Sequence, residues 1–107
     1  MTPAVTPQQP IADRALVARM AQGDRPALVE LLARYRTTLY AAAYALMPDP
    51  EDAEAVVVEV FDQAWHEAAG VGPDERVHTW LVEIARAVAG RRLAARQWPR
   101  PAHDSPA

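Results

Sequence analysis

The apolar residues of this chain recur at intervals of three and four, which is the period of an amphipathic α-helix. No window alternates with a period of two, so the sequence predicts no strand. Four helices are predicted, at about residues 12–22, 25–47, 50–69 and 75–96. Short loops join them, and the expected fold class is therefore all-α, a compact four-helix bundle.

Residues that break helices mark the boundaries between these segments. Gly23 ends the first predicted helix, and Asp24 stands where the N-cap of the second is expected. Pro48 ends the second helix, and Asp49 is the next predicted N-cap, followed by Pro50 in the first turn of the third helix. A glycine-rich loop separates the third helix from the fourth.

One apolar stripe runs along each predicted helix and predicts the core. The stripes comprise Leu16, Val17 and Met20; Leu28, Leu31, Leu32, Tyr35, Leu39, Ala42, Ala43 and Leu46; Val57, Val60, Ala64 and Ala68, widened by Val56, Phe61 and Trp65; and Val77, Trp80, Leu81, Ile84 and Val88. Burying one large apolar side chain is worth roughly 1.5–3 kcal/mol, so core packing explains these stripes. Val58 is different, because the run Val56–Val58 is wider than one face and leaves at least one valine for the surface.

Composition limits the chain to a small domain with a modest core. Of its 107 residues, 54 are apolar, but 23 of those are alanine, and there is no cysteine. A disulfide framework, a thiol nucleophile and a cysteine-based zinc site are therefore excluded. No apolar run is long enough for a membrane span and no signal peptide is visible, so a cytoplasmic location is expected. Proline-rich residues 1–11 and 98–107 are expected to be disordered tails around a domain at 12–97.

The chemistry of an enzyme is missing from the sequence. His66, His78 and His103 are scattered, and Gly70 stands where a helical HExxH motif would need its second histidine. The chain contains no lysine, hence no Walker A loop, and no GxSxG motif. We therefore expect no enzyme activity, no catalytic residues, no metal site and no cofactor.

Charge is distributed very unevenly along the chain. Residues 49–75 carry nine acidic residues and no arginine, whereas residues 76–100 carry six arginines and one acid, Glu83. Such a separation indicates two different partners for the two segments.

Four short motifs follow one another along the chain. They are the break at Gly23-Asp24, the helix start DPEDAE, the segment EVF…AW ending at Trp65, and WL…IAR from Trp80 to Arg86. In this order and spacing they resemble region 2 of the sigma-70 family, and they look most like the extracytoplasmic-function (ECF) group of bacterial sigma factors. The resemblance covers about residues 12–96.

The resemblance implies a module for bacterial transcription initiation with two surfaces. In the family, the third helix docks on the clamp helices of the β′ subunit of core RNA polymerase. The positions implied here for that contact are Asp52, Ala55, Val58, Glu59 and Asp62.

The fourth helix and the preceding loop are implied to bind the −10 promoter element and its melted strand. His78 and Thr79, at the helix start, are expected to touch a base or a phosphate, whereas Trp80 is expected in the core. Phosphate contacts are expected from Arg86, Arg91, Arg92 and Arg96. Four such contacts predict a salt slope of about −3 on single-stranded DNA.

Departures from the family pattern leave a second interpretation open. Ala55 and Val58 stand where the family usually has aspartate and glutamine, and Glu83 and Ala87 depart from the usual residues of the fourth helix. The alternative is a protein-interaction module that binds an anti-sigma factor or another regulator without specific DNA binding. An unrelated helical bundle or enzyme is the third possibility. The chain also shows no region 4, so it is expected to be an excised region 2 or a stand-alone protein.

Overall fold

A computed structural model describes residues 10–72 and 74–97, which form four α-helices and one short 3₁₀ turn. The helices are α1 (Pro10–Ala21), α2 (Arg25–Leu46), α3 (Pro50–Glu67) and α4 (Val77–Gln97), and the 3₁₀ turn follows α3 at Ala68–Gly70. The predicted all-α class is confirmed. Helix α2 packs against each of the other three, and α3 also packs against α4. The described helices contain no apolar stretch long enough to cross a membrane.

The helix boundaries differ from the predicted ones by two residues at most. Helix α1 begins at Pro10, inside the predicted tail, and the rest of both tails, residues 1–9 and 98–107, lies outside the described residues. Helix α2 stops at Leu46, because a residue before proline, here Met47, is disfavoured in helical conformation.

Helix α4 starts two residues later than predicted. The amide of Glu75 donates to the carbonyl of Gly72 at 3.1 Å, which closes a turn before the helix. The first helical bond then runs from the Trp80 amide to the Arg76 carbonyl at 2.9 Å.

The two predicted N-caps behave differently. The Asp49 carboxylate accepts hydrogen bonds from the amides of Glu51 and Asp52 at 2.9 and 3.1 Å, which confirms it as a capping residue. Asp24 occupies the N-cap position of α2, but its side chain makes no capping bond. Its carboxylate instead accepts from Nε of Arg19 at 2.8 Å, an ion pair that competes with the cap.

The core forms from the predicted stripes, with one error. The predicted residues of α1 and α4 are all buried, as are those of the third stripe except Trp65. On α2, Leu31, Tyr35, Leu39 and Ala43 are buried, whereas Leu28, Leu32 and Ala42 are half-buried. Leu46 was predicted to be buried, but it is 41% exposed, whereas Met47 is only 2% exposed. The buried face of α2 continues in steps of four from Leu39 to Ala43, and the next step reaches Met47. Val58 is 67% exposed, as the width of its valine run predicts.

Candidate functional site

The five residues implied to contact the polymerase occupy one outward face of α3. Because successive helical residues are rotated by about 100°, they form a continuous strip opposite the buried face; we call this set the α3 stripe. It consists of Asp52, Ala55, Val58, Glu59 and Asp62. Val58 and Asp62 are exposed on the side nearer α2, whereas Asp52 and Glu59 are half-buried on the side nearer α4.

Asp52 is paired with an arginine that was assigned to DNA. The two terminal nitrogens of Arg96 donate to the two carboxylate oxygens of Asp52, at 2.8 and 2.6 Å. These hydrogen bonds hold the pKa of the Asp52 carboxyl below its usual value, and they raise the pKa of Arg96. Both groups are therefore charged near neutral pH.

Glu59 forms a second ion pair between α3 and α4. Nε and one Nη of Arg92 both donate to one Glu59 oxygen, at 3.2 and 3.1 Å. Arg91 approaches the other oxygen at 3.6 Å. The acidic and basic segments, which the sequence assigned to different partners, thus contact each other along the α3–α4 interface. Arg86 is exposed on another face of α4 and makes no ion pair within the described residues.

His78 and Thr79 are exposed in the first turn of α4, beside a cavity of about 440 Å³. We call it the α4 cavity; its lining residues are Asp13, Arg14, Tyr35, Arg76, Val77, His78 and Thr79. The His78 ring lies 5.9 Å from the Tyr35 ring, centroid to centroid, with the planes tilted by 56°. Most of the residues predicted to contact DNA therefore lie at opposite ends of α4. His78 and Thr79 lie in its first turn, and Arg91, Arg92 and Arg96 lie near its C-terminus.

Trp80 is only 8% exposed, which agrees with the expectation that it packs in the core rather than on a base. No group of three metal-binding side chains occurs among residues 10–72 and 74–97.

A buried carboxylate ties α1 to α2 beneath the α4 cavity. Asp13 is 1% exposed and accepts a hydrogen bond from the Tyr35 hydroxyl and another from Nη1 of Arg34, the latter at 2.8 Å. Burial and the bond to Asp13 raise the pKa of the Tyr35 hydroxyl well above its usual value. The phenol therefore stays protonated and remains a hydrogen-bond donor.

The sequence interpretation missed this cluster, although a signal for it exists. Asp13 precedes Leu16, Val17 and Met20 by three, four and seven residues, so it lies on the apolar stripe of α1. A carboxylate in such a position must find partners in the core, because burying an unpaired charge is costly. What the sequence does not show is which residues of α2 supply them.

An apolar groove about 360 Å³ in volume runs between α2 and α3 next to Val58. Leu28, Leu32, Val57, Phe61 and Trp65 supply most of its apolar lining. The Arg25 guanidinium lies 4.7 Å from the centroid of the Trp65 ring, a cation–π contact at one end of the groove.

Comparisons with known proteins agree with this architecture. Residues 31–99 match the family model for sigma-70 region 2. RNA polymerase sigma factor CnrH of Cupriavidus metallidurans is 36% identical over 73 residues, which cover 68% of this chain and 38% of that protein. RNA polymerase sigma factor NccH of Alcaligenes xylosoxydans xylosoxydans is 33% identical over 75 residues, covering 70% of this chain and 40% of that protein. The chain thus spans about two fifths of the length of these relatives.

A solved structure matches nearly the whole fold. An engineered region 2 of sigmaE, determined by NMR in complex with GTAAAA, superposes with a TM-score of 0.75 at 28% identity. The match covers 91% of this chain and 95% of that one. Fold and sequence together define a sigma factor module.

The chain belongs to the sigma-70 region 2 family, and its relatives place it with the ECF group. This confirms the resemblance drawn from the motifs. Sigma factors are not enzymes, so family membership also supports the expectation of a non-catalytic protein.

Proposed function

We propose that this chain binds the β′ clamp helices of bacterial core RNA polymerase through the α3 stripe. We further propose that it binds the −10 promoter element through α4. His78 and Thr79 contact a base or phosphate at the α4 cavity, and Arg86, Arg91, Arg92 and Arg96 contact phosphates. The protein would act in transcription initiation as a binding module.

The observation that carries this proposal is the likeness to a region 2 that was solved with GTAAAA bound, at a TM-score of 0.75. The side chains support it. His78 and Thr79 are exposed beside a cavity, and the arginines of α4 provide the cationic groups that attract a single strand. Val58 and Asp62 of the α3 stripe are exposed and face away from the core, where a second partner can reach them.

The test has two parts. First, binding of the purified chain to core polymerase is measured with and without a β′ clamp-helix fragment as competitor. We expect binding that the fragment abolishes. Second, single strands with six randomised nucleotides are selected on the polymerase complex, and enrichment of one sequence is expected. Absence of polymerase binding at tens of micromolar contradicts the proposal.

A protein-interaction role without specific DNA binding is the second candidate. One observation favours it: Val58 is 67% exposed beside the apolar groove, at a position where the family usually has glutamine. The partner would be an anti-sigma factor or another regulator. Polymerase binding without enrichment of any DNA sequence, together with DNA-independent capture of such a partner, would favour this candidate.

Val58→Gln is expected to strengthen polymerase binding about two- to tenfold, because one new hydrogen bond is worth about 0.5–1.5 kcal/mol. Thermal stability should not change, since the side chain is exposed. The affinity for core polymerase is measured by titration, and Val29→Gln, another exposed valine, serves as control. Unchanged affinity of the Val58 variant would show that this position lies outside the docking surface.

A further inference from the structure

We propose that Asp52 and Glu59 are internal competitors of DNA phosphates, which hold Arg96 and Arg92 in the free chain and lower its affinity for single strands. This inference rests on the proposed role of α4 in DNA binding. It adds an autoinhibitory contact, which family membership does not imply.

The geometry of the contacts is that of a phosphate mimic. Arg96 donates from both terminal nitrogens to the two oxygens of one carboxylate, at 2.8 and 2.6 Å. Guanidinium groups bind phosphates in the same forked arrangement. Asp52 therefore occupies the donor groups that Arg96 would offer to DNA.

The second pair extends the same pattern along the interface. Arg92 lies one helical turn before Arg96 on α4, and it bonds Glu59 through two nitrogens at 3.1 and 3.2 Å. Arg91 adds a longer contact to the same carboxylate at 3.6 Å. Three of the four arginines assigned to DNA thus face acids of α3.

Exposure makes an exchange of partners feasible. The side chains of Arg96 and Arg92 are 57% and 37% exposed, so a strand can reach them without unfolding the bundle. An exposed ion pair that must break on binding lowers the association constant by a factor of about two to five. A single strand can overcome such a contact, but its affinity is reduced by that factor for each pair.

The ion pairs are not needed to hold α3 against α4. Buried residues of both helices already form that contact, among them Val56 and Val60 on α3 and Leu81 and Val88 on α4. Neutralising Asp52 and Glu59 should therefore leave the fold intact.

The test compares the double variant Asp52→Asn/Glu59→Gln with a control of equal charge, Glu51→Gln/Glu67→Gln. The control removes two acids from the same helix, and neither forms an ion pair within the described residues. Binding of the whole 107-residue chain to a fluorescent single-stranded 12-mer is followed by anisotropy at several salt concentrations.

We expect the affinity of the Asp52/Glu59 variant for the 12-mer to rise about five- to twentyfold, because two ion pairs no longer hold its arginines. Its salt slope should stay at about −3, because the same four arginines contact phosphates once the strand is bound. The control should change by less than about twofold, since salt screens distant charges. In an Arg91→Gln/Arg92→Gln/Arg96→Gln background, the gain from the acid substitutions should shrink to that of the control variant.

Equal gains in the test and control variants would show that Asp52 and Glu59 do not compete with phosphates. The proposed DNA-binding role of α4 would still stand. A gain of about five- to twentyfold that persists in the Arg91→Gln/Arg92→Gln/Arg96→Gln background would overturn the competition too. If neither the natural chain nor the Asp52/Glu59 variant binds, both the inference and the proposed DNA role are wrong. Circular dichroism verifies folding, and the single variants test each pair separately.

Discussion

Asp13→Ala is expected to lower the free energy of unfolding by about 3–4 kcal/mol, because the Tyr35–Arg34 network loses its buried carboxylate. The Tyr35 hydroxyl and the Arg34 guanidinium both donate to this group, which is 1% exposed. Without it, the buried Tyr35 hydroxyl loses its acceptor, whereas Arg34, whose side chain is 24% exposed, keeps its bond to Glu30. For a domain of this size each kcal/mol shifts Tm by about 4–8 °C, so Tm should fall by more than about 10 °C.

The matched control is Glu30→Ala, which removes another acid from the same arginine. Glu30 accepts from Arg34 at 3.2 Å, but its side chain is 51% exposed. Its loss should cost less than about 1 kcal/mol. Thermal and urea unfolding of the two variants measure the difference. If both variants lose equally little stability, the Asp13 cluster does not hold α1 to α2.

Replacing Arg91, Arg92 and Arg96 with alanine is expected to weaken single-strand binding about 10- to 100-fold at 0.1 M salt. Each lost phosphate contact removes about 0.7 from the salt slope, so the slope should fall from about −3 to about −1. The variant also leaves Asp52 and Glu59 without their partners, which adds repulsion from DNA. Anisotropy titrations over a range of salt concentrations give both quantities.

The control for this prediction changes three arginines outside α4, namely Arg19, Arg25 and Arg36. It alters the net charge equally, yet it should retain most of the affinity and the salt slope. Helicity of both variants is compared by circular dichroism. An unchanged slope in the α4 variant would show that these arginines do not contact the strand.

Local sequence information was sufficient for the helices and for most of the core. The positions of Val77, Leu81 and Val88 follow from their spacing alone, since a helix places such residues on one face. The same spacing puts Asp13 on the apolar face of α1, a signal that the prediction of the core overlooked. Leu46 was assigned to the core because it follows Ala43 by three residues. The buried face of α2 instead continues in steps of four and reaches Met47, so Leu46 lies outside it.

Side-chain partners were harder to predict, even over short distances. Asp24 and Asp49 both precede a helix, yet only Asp49 caps it with its side chain. The difference is that Arg19, one turn back on α1, reaches Asp24 across the Gly23 bend. A capping residue can thus be recognised by its position, but a competing ion pair depends on how two helices meet.

Periodicity and motif order were enough to establish the helical class, the apolar faces and the sigma-70 region 2 family. Only the tertiary structure shows that the acidic and basic segments contact each other. Asp52 and Arg96 are 44 residues apart in the chain, and the sequence assigned them to different partners. They meet because buried side chains set the register of α3 against α4, and no local pattern encodes that register.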